Sequence, residues 1–325
     1  MLDVSIIIVT YNSEADIQDC LQSIATTKGS VTVETLIVDN HSHDGTVDIV
    51  RQGWSSARVI VNEQNVGFPA ANNQAIPSAA GRYVLLLNPD TIALPGALEA
   101  MVRYMDEHPK CGVCGPRLID ANGAEAPAMF EPSILQAITR YGRITQLHRY
   151  ILNEDDLIVS GSCLAFRRQL VSEVGLLDAR LFWAEDVDFC IRARKRGYEV
   201  KQVPGATVVH KGGQSAKSNL QQTAYAQNAT YVRMIRVHYT SYERTVLLSI
   251  RLSEICLRIL KYSALAALPS RIDARQKVKG LLLVMRDMPA LLLMRAKPKQ
   301  AGSRINGHQE SDRPCRDEYE RSDLR

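Results

Sequence analysis

The strongest constraint on this chain is an alternation of apolar β-branched runs and helical patterns over its first 110 residues. Residues 4–9 are nearly continuously apolar, interrupted only by Ser5, as in a strand buried on both faces. Ser13 then precedes a helical pattern with Ile17, Cys20, Leu21 and Ile24 on one face. Residues 31–38 read as a second strand, 46–50 as a short helix, 58–61 as a short strand, 69–80 as a helix and 83–87 as a buried strand. Residues 95–108 are helical, with Leu98, Met101, Val102 and Met105 inward. Such alternation predicts an α/β fold built on a parallel sheet.

Polar residues follow the strands. The first runs into Thr10, Tyr11 and Asn12, the second into Asp39 and Asn40, and the fourth into Asn88, Pro89 and Asp90; Asn62, Asn65 and Gly67 follow the third. Asn, Asp and Gly make turns wherever chains reverse. Four clusters past the carboxyl ends of strands instead mark the edge where open α/β sheets bind ligands.

Composition narrows the class further. Of 325 residues, 46% are hydrophobic and the formal net charge is only +4, an ordinary soluble composition that does not call for a nucleic-acid partner. The charge is uneven: residues 241–300 carry 12 Lys+Arg against 4 Asp+Glu, whereas residues 1–240 carry 22 against 25. Seven scattered cysteines are not a disulfide framework, and the lone pair Cys111 and Cys114 reads as space-filling. The first residues lack a basic leader, and no run of about 18 uncharged apolar residues occurs. A reducing cytoplasm is the expected location. No Gly-rich dinucleotide fingerprint or P-loop is present. The strand ends offer carboxylates, amides, a hydroxyl and a ring. These groups can bind a base and ribose, or hold a cation beside a diphosphate.

The middle of the chain is less regular. Residues 157–166 read as a strand broken by Gly161, 187–196 as a helix closed by Gly197, and 198–203 and 206–209 as short strands. Residues 244–268 form a long helical pattern in which Arg244, Arg251, Glu254, Arg258 and Lys261 occupy a narrow arc. Apolar stretches at 281–285 and 291–294 follow, with basic neighbours. After about residue 300 the chain is polar and is expected to be disordered.

The strand-end motifs, taken in order, resemble family 2 glycosyltransferases of the GT-A fold. The likeness rests on the segment ending Thr10, Tyr11, Asn12; on Asp39, Asn40 and the following His41–Thr46 stretch; on Asn65, Gly67, Asn72 and Asn73; and on Asn88, Pro89, Asp90. It continues through Trp183, Glu185, Asp186 and Asp188, and through His210 with Gly213 and Ser215. The Asn-Pro-Asp variant resembles the rhamnosyltransferase-like branch. The resemblance covers about residues 3–215. It implies a GT-A domain over residues 1–240, with a nucleotide-sugar half (1–110) and an acceptor half (111–240). A basic amphipathic helical extension (241–300) and a tail (301–325) follow. The central sheet is expected to be mostly parallel, with flanking helices.

The resemblance also implies roles. Asp39 would accept a hydrogen bond from the donor's pyrimidine; Thr10, Tyr11, Asn12, Asn65 and Asn88 would serve the nucleotide. Asp90 would ligate Mg²⁺ or Mn²⁺ bridging the diphosphate, and His210 would be a second ligand or a phosphate contact. Asn88 takes the first place of the family's Asp-x-Asp, so a neutral amide stands where a carboxylate is common. Asp186 would be the general base of an inverting transfer to a glycan or lipid-linked glycan, and the likeness to the rhamnosyl branch implies rhamnose from dTDP-rhamnose. Asp186 also reads as an N-cap of the following helix, and Glu185 is a second candidate base on the acceptor side. Trp183 reads either as a platform for an acceptor sugar or as core. His41 and His43 read as solvated. Two other functions stay open on sequence: a sugar nucleotidyltransferase, and a non-catalytic nucleotide-sugar-binding scaffold. The basic helix either packs on protein or lies in a membrane interface with cations near anionic headgroups.

Overall fold

The computed structural model describes residues 2–126, 129, 130, 132, 137, 157–181, 183–212, 220–266 and 272–293. Gly213, Ser215, Phe182 and everything beyond residue 293, including the expected tail and Cys315, lie outside the described residues.

The first half is built as its pattern predicts. Strands β1 (Val4–Thr10), β2 (Val33–Asp39), β3 (Arg58–Val61) and β4 (Tyr83–Leu87) pair in parallel, with β1 between β2 and β4. Helices α1 (Ile17–Thr27), α2 (Thr46–Gly53), α3 (Phe68–Ala75) and α4 (Ala97–Glu107) connect or cover them. All seven residues of β1 are buried. Ile6 and Ile8 pack on one side with Ile17, Leu21, Leu98 and Met101; Ile7 and Val9 pack on the other with Ala71, Ala75, Phe166 and Phe189. Apolar layers on both faces explain why the run is continuous rather than alternating.

The second half departs from a simple parallel sheet. Strands β5 (Thr91–Ala93) and β6 (Cys111–Ile119) were not legible in the sequence. A two-residue hairpin partner pair, β7 (Met129–Phe130) and β8 (Leu157–Ile158), forms a separate ribbon. Strand β9 (Cys163–Arg167) inserts antiparallel between β4 and β6, pairing Leu87 with Cys163. The short helix α5 (Leu170–Val174) leads to α6 (Glu185–Lys195), and β10 (Glu199–His210) follows. The residues read as two short strands form this one strand, irregular between Gln202 and Thr207, where Pro204 and left-handed Gly205 interrupt the ladder. The full order is β3-β2-β1-β4-β9-β6-β10-β5. Cys111 and Cys114 are buried and free, as space-filling side chains should be.

Three helices complete the described chain: α7 (Leu220–His238), α8 (Ser241–Ala266) and α9 (Ile272–Leu293). They bury Ala229, Val232, Ile255, Leu281, Val284 and Leu291 against one another. Helix α9 runs through Pro289, so the two apolar stretches belong to one helix; Arg236 of α7 donates to the Leu291 carbonyl, 2.7 Å away. The charged arc on α8 does not face solvent as a whole. Arg251 and Glu254 pair at 2.5 Å with side chains only 13% and 15% exposed, and Arg251 lies 4.6 Å over the Tyr231 ring. A charged stripe can turn inward where each charge finds a partner and a ring face.

Gly280 sets the α7–α9 approach. A Cβ there would stand 2.3 Å from the Gln221 carbonyl oxygen and 3.0 Å from the Ala224 Cβ. Gly280→Ala should therefore lower stability by about 1–3 kcal/mol, outweighing about 1 kcal/mol of added helix propensity. Urea unfolding of the variant checks this; unchanged or raised stability would show that the helices can separate freely.

Candidate active site

The strand-end residues assemble through hydrogen bonds between loops. Thr10 Oγ1 donates to Asp39 Oδ1 at 2.8 Å, across the paired ends of β1 and β2. Ser42 adds two more donors to Asp39: its N–H to Oδ2 at 2.9 Å and its hydroxyl to Oδ1 at 2.6 Å. The same Ser42 oxygen accepts the Asn12 N–H at 2.8 Å, and the Asn12 side chain accepts the His43 N–H. Asp39 is thus buried, and three protein donors hold its carboxylate. Ser42 carries no role in the sequence reading, although it stands within the Asp39 motif. Asn12 and His41 take left-handed backbone conformations, at φ 50° and 70°. Tyr11 is exposed beside this cluster. Both His41 and His43 are exposed, as read.

Asn65 is placed differently. It follows the edge strand β3, is exposed, and accepts the Gly67 N–H at 3.0 Å. That bond makes an Asx turn ahead of α3. Asn73 holds Leu177 at both backbone groups, 2.8 and 3.1 Å away, and so fixes the approach to α6.

Beyond β4 the chain reverses sharply. The Thr91 hydroxyl donates to the Asn88 carbonyl at 2.6 Å, which closes the Asn88, Pro89, Asp90 turn. Strand β5 then pairs with the end of β10, setting Thr91 opposite His210. His210 Nε2 lies 3.3 Å from Asp90 Oδ1, and the Asp90 carbonyl accepts the Lys211 N–H. Burial alone would raise the Asp90 carboxyl; the hydrogen bond and charge of His210 outweigh it and leave the group below the usual carboxylate range. Lys211 itself is spent on Asp16 and Asp19 of the α1 entry, at 2.9 and 3.1 Å.

The acceptor-side motif joins the same edge through one loop. Asn88 N–H donates to the Ser162 carbonyl, and the neighbouring Gly161 N–H donates to Asp186 Oδ2 at 2.8 Å. Asp186 Oδ1 accepts the Val187 N–H. The helix starts at Glu185, with Ala184 as its cap position and no side-chain cap. Asp186 is therefore a first-turn residue and not the N-cap that the sequence suggested. Trp183 and Ala184 enter the helix at φ 67° and 99°, a strained approach for two residues with side chains. Trp183 is 39% exposed, which removes the core reading. Glu185 Oε2 is buried and has no hydrogen-bond partner among the described residues.

Helix α6 is anchored from behind. Phe166 and Phe189 rings meet at 5.0 Å. Asp188 accepts from Arg192 at 2.8 Å and from His238 Nε2 at 2.6 Å. Lys195 Nζ approaches His238 Nδ1 at 3.3 Å; an ammonium can only donate, so Nδ1 accepts and Nε2 carries the proton. Burial would raise Asp188, but His238 and Arg192 hold it below the usual range.

A divalent cation can be tested against these side chains. Among the described residues no three His, Cys, Asp or Glu groups converge as a closed cage. Asp90 and His210 do present a carboxylate oxygen and an imidazole nitrogen side by side. Two protein ligands suit a cation whose remaining positions go to phosphate oxygens and water. The donor set therefore fits an ion carried with a diphosphate and not a resident structural metal.

Comparison with known proteins bears on the family and the fold. The model of "Glycosyl transferase family 2" matches residues 5–175, more than half of the chain. An N-acetylglucosaminyl-diphospho-decaprenol L-rhamnosyltransferase of Mycobacterium tuberculosis is 29% identical over 260 residues, covering 72% of this chain and 84% of that protein. Among solved structures, residues 1–349 of Staphylococcus aureus TarS in complex with UDP-GlcNAc align at TM-score 0.54 and 19% identity, over 89% of this chain and 92% of that one. The mannosyltransferase PcManGT of Pyrobaculum calidifontis, in complex with GDP-Man and Mn²⁺, aligns at TM-score 0.54 and 16% identity, over 89% and 87%. Those likenesses carry the GT-A fold, and the family match favours a transferase over a nucleotidyltransferase or a scaffold. The chain belongs to glycosyltransferase family 2 and is a glycosyltransferase.

Proposed function

We propose that the chain moves a sugar, rhamnose from dTDP-rhamnose, to a hydroxyl of a lipid-linked glycan with inversion, working at the cytoplasmic face of a membrane. The observation that carries this reading is the Gly161–Ser162 loop, which ties Asp186 to the Asn88–Asp90 turn. The activity named for the mycobacterial relative supports the donor sugar and the lipid-linked acceptor.

Asp186 serves as general base. It removes the acceptor hydroxyl proton as that oxygen attacks the anomeric carbon opposite the departing nucleoside diphosphate. One base must be ionised, and the two adjacent carboxyls are unequal. Burial raises both. Asp186 has two backbone N–H donors that favour its charged form, whereas Glu185 has a buried oxygen without a partner and the Asp186 charge beside it. The arrangement favours an ionised Asp186 and a protonated Glu185. Trp183, exposed at the entry to α6, offers a ring face to the acceptor sugar. Thr10, Tyr11, Asn12, Asp39, Asn65 and Asn88 serve the nucleotide. The Thr10–Ser42 bonds orient Asp39 with one lone-pair site to spare. Asp90 and His210 would hold Mg²⁺ or Mn²⁺. When bound, such an ion neutralises charge developing on the diphosphate.

Transfer of labelled rhamnose from dTDP-rhamnose to a polyprenyl-diphosphate-linked N-acetylglucosamine, with Mn²⁺ or with EDTA, tests the reading. Asp186→Asn should lower kcat roughly 10²–10⁴-fold while donor binding persists; full activity would remove the base assignment. His238→Ala should lower kcat roughly ten- to a hundredfold with donor KM unchanged. His238→Gln, whose amide can still donate to Asp188, should recover much of that loss; an unaffected kcat in both variants would make the contact merely structural.

Glu185 makes a separate prediction. Unfolded, its carboxyl titrates near 4.5; folded, burial first and the Asp186 charge second push it to about 8. The folded chain holds the extra proton between those values. The stability this gives is complete below the unfolded value and is lost as pH rises through the folded one. Glu185→Gln should flatten the fall in stability between about pH 5 and 8 by roughly 1 kcal/mol or more. Urea midpoints at the two pH values decide, and parallel curves for the two proteins would contradict the protonated state.

A further inference from the structure

Helix α8 buries part of its charged arc beside its apolar side chains Leu247 and Ile255. Its ion pair Arg251–Glu254 faces inward over Tyr231, while Tyr242, Leu257 and Leu260 stand outward at 73%, 52% and 67% exposure. Placed at 100° per residue, Tyr242, Ser249, Ser253, Leu257 and Leu260 share one face, and that face holds no acidic residue. An outward leucine is unremarkable alone; Leu257 and Leu260 one turn apart on the face of Tyr242, with further apolar side chains exposed on the next helix, make a patch.

The start of α9 continues the same surface. Arg275 Nε donates to the Ala266 carbonyl at the end of α8, and Lys261 of α8 and Lys277 of α9 both approach the Tyr262 ring, at 5.9 and 5.4 Å. The two helices thus meet at this end of their hairpin. There α9 exposes Ile272 and Leu282 together with Arg275, Lys279 and Arg286. Asp273 is the single exposed acid of α8 and α9 among the described residues. Neither helix is long and apolar enough to cross a membrane.

We infer that the outward face of the α8–α9 hairpin is a docking surface for an anionic lipid bilayer. Leu257, Leu260, Ile272 and Leu282 enter the headgroup boundary, and Lys261, Arg275 and Lys279 meet the lipid charges, whereas Arg286 is paired with Asp287 at 2.7 Å. Charge complementarity selects this occupant: apolar side chains ringed by cations and nearly free of acids suit a negatively charged interface. The cations come chiefly from α9, and not from the α8 arc that the sequence put forward. The inference rests on the lipid-linked acceptor reading for its purpose, but its measurement does not involve sugar transfer.

The test is co-sedimentation of the full chain with vesicles of phosphatidylcholine alone, or of phosphatidylcholine with 30 mol% phosphatidylglycerol (a composition of about that order suffices). Expected is pelleting with the anionic vesicles only, weakened by salt. Lys261→Gln with Lys279→Gln should weaken binding roughly twentyfold. Leu257→Ser with Leu260→Ser should abolish it, while melting temperature and transfer to a water-soluble acceptor stay as in the parent chain. A chain that stays in solution with both vesicles overturns the inference. So does equal binding by parent and variants, or a solution dimer that the leucine variant dissociates, since a second copy then covers the face. Vesicle binding by a chain that transfers no sugar from any donor would leave the surface standing and defeat the proposed reaction.

Discussion

Two backbone groups in the Ser160–Ser162 loop carry the arrangement of the site. The Gly161 N–H holds the Asp186 carboxylate, and the Ser162 carbonyl takes the Asn88 N–H one residue beyond β4. Both partners are main-chain atoms, so their positions follow from the path of β9. That path is set by the antiparallel ladder from Leu87–Cys163 to Tyr83–Arg167. Strand β4 is at once the support of the donor-side turn and the template for the strand that delivers the acceptor side. Shifting β9 by one residue would turn Cys163 and Ala165 out of their core and move Gly161 away from Asp186.

Such coupling accounts for the strain beside Asp186. Trp183 and Ala184 hold positive φ values at a cost of about 1–3 kcal/mol each. They keep that conformation because α6 is fixed from three sides: Phe189 against Phe166, Asp188 to His238, and Arg192 to the carbonyls of Val174, Gly175 and Leu176. The helix cannot rotate to relax its entry without breaking a buried ionic network. The protonated partner next to Asp186 belongs to the same economy of charge, since two ionised carboxyls cannot share a buried helix start.

Much of this was legible from residues, and the reason is local. Strands β1 and β4 are buried throughout and β2 over its second half, so their apolar runs need no tertiary context to be seen. Their polar ends stand out against those runs, and Thr10, Asp39, Asn88 and Asp90 fall at the sheet edge for that reason. What stayed hidden depends on partners distant in sequence. Strands β5 and β6 pair chiefly with β10, more than 80 residues away, and a three-residue strand has no pattern to show. Asp186 resembled a cap because an Asp ahead of an apolar helical stretch usually is one; the helix instead begins two residues earlier than read, at Glu185. Ser42 had no role in the sequence reading, and only its three bonds, to Asp39 and from Asn12, show what it orders.

The α8 helix shows the limit of amphipathic reasoning most clearly. Periodicity identifies two faces but not which one is wet. The usual assignment assumes that charges cost too much to bury. Arg251 evades that cost: Glu254 neutralises it one turn on, and Tyr231 supplies a ring face from α7. The buried side of α8 therefore holds this ion pair together with Leu247 and Ile255, and the side left outward mixes Tyr242, Leu257 and Leu260 with Ser249 and Ser253. The same bundle reaches Asp188 through His238 of α7, so the helix that carries Asp186 is braced by one that is itself tied to α9 through Arg236 and the Leu291 carbonyl.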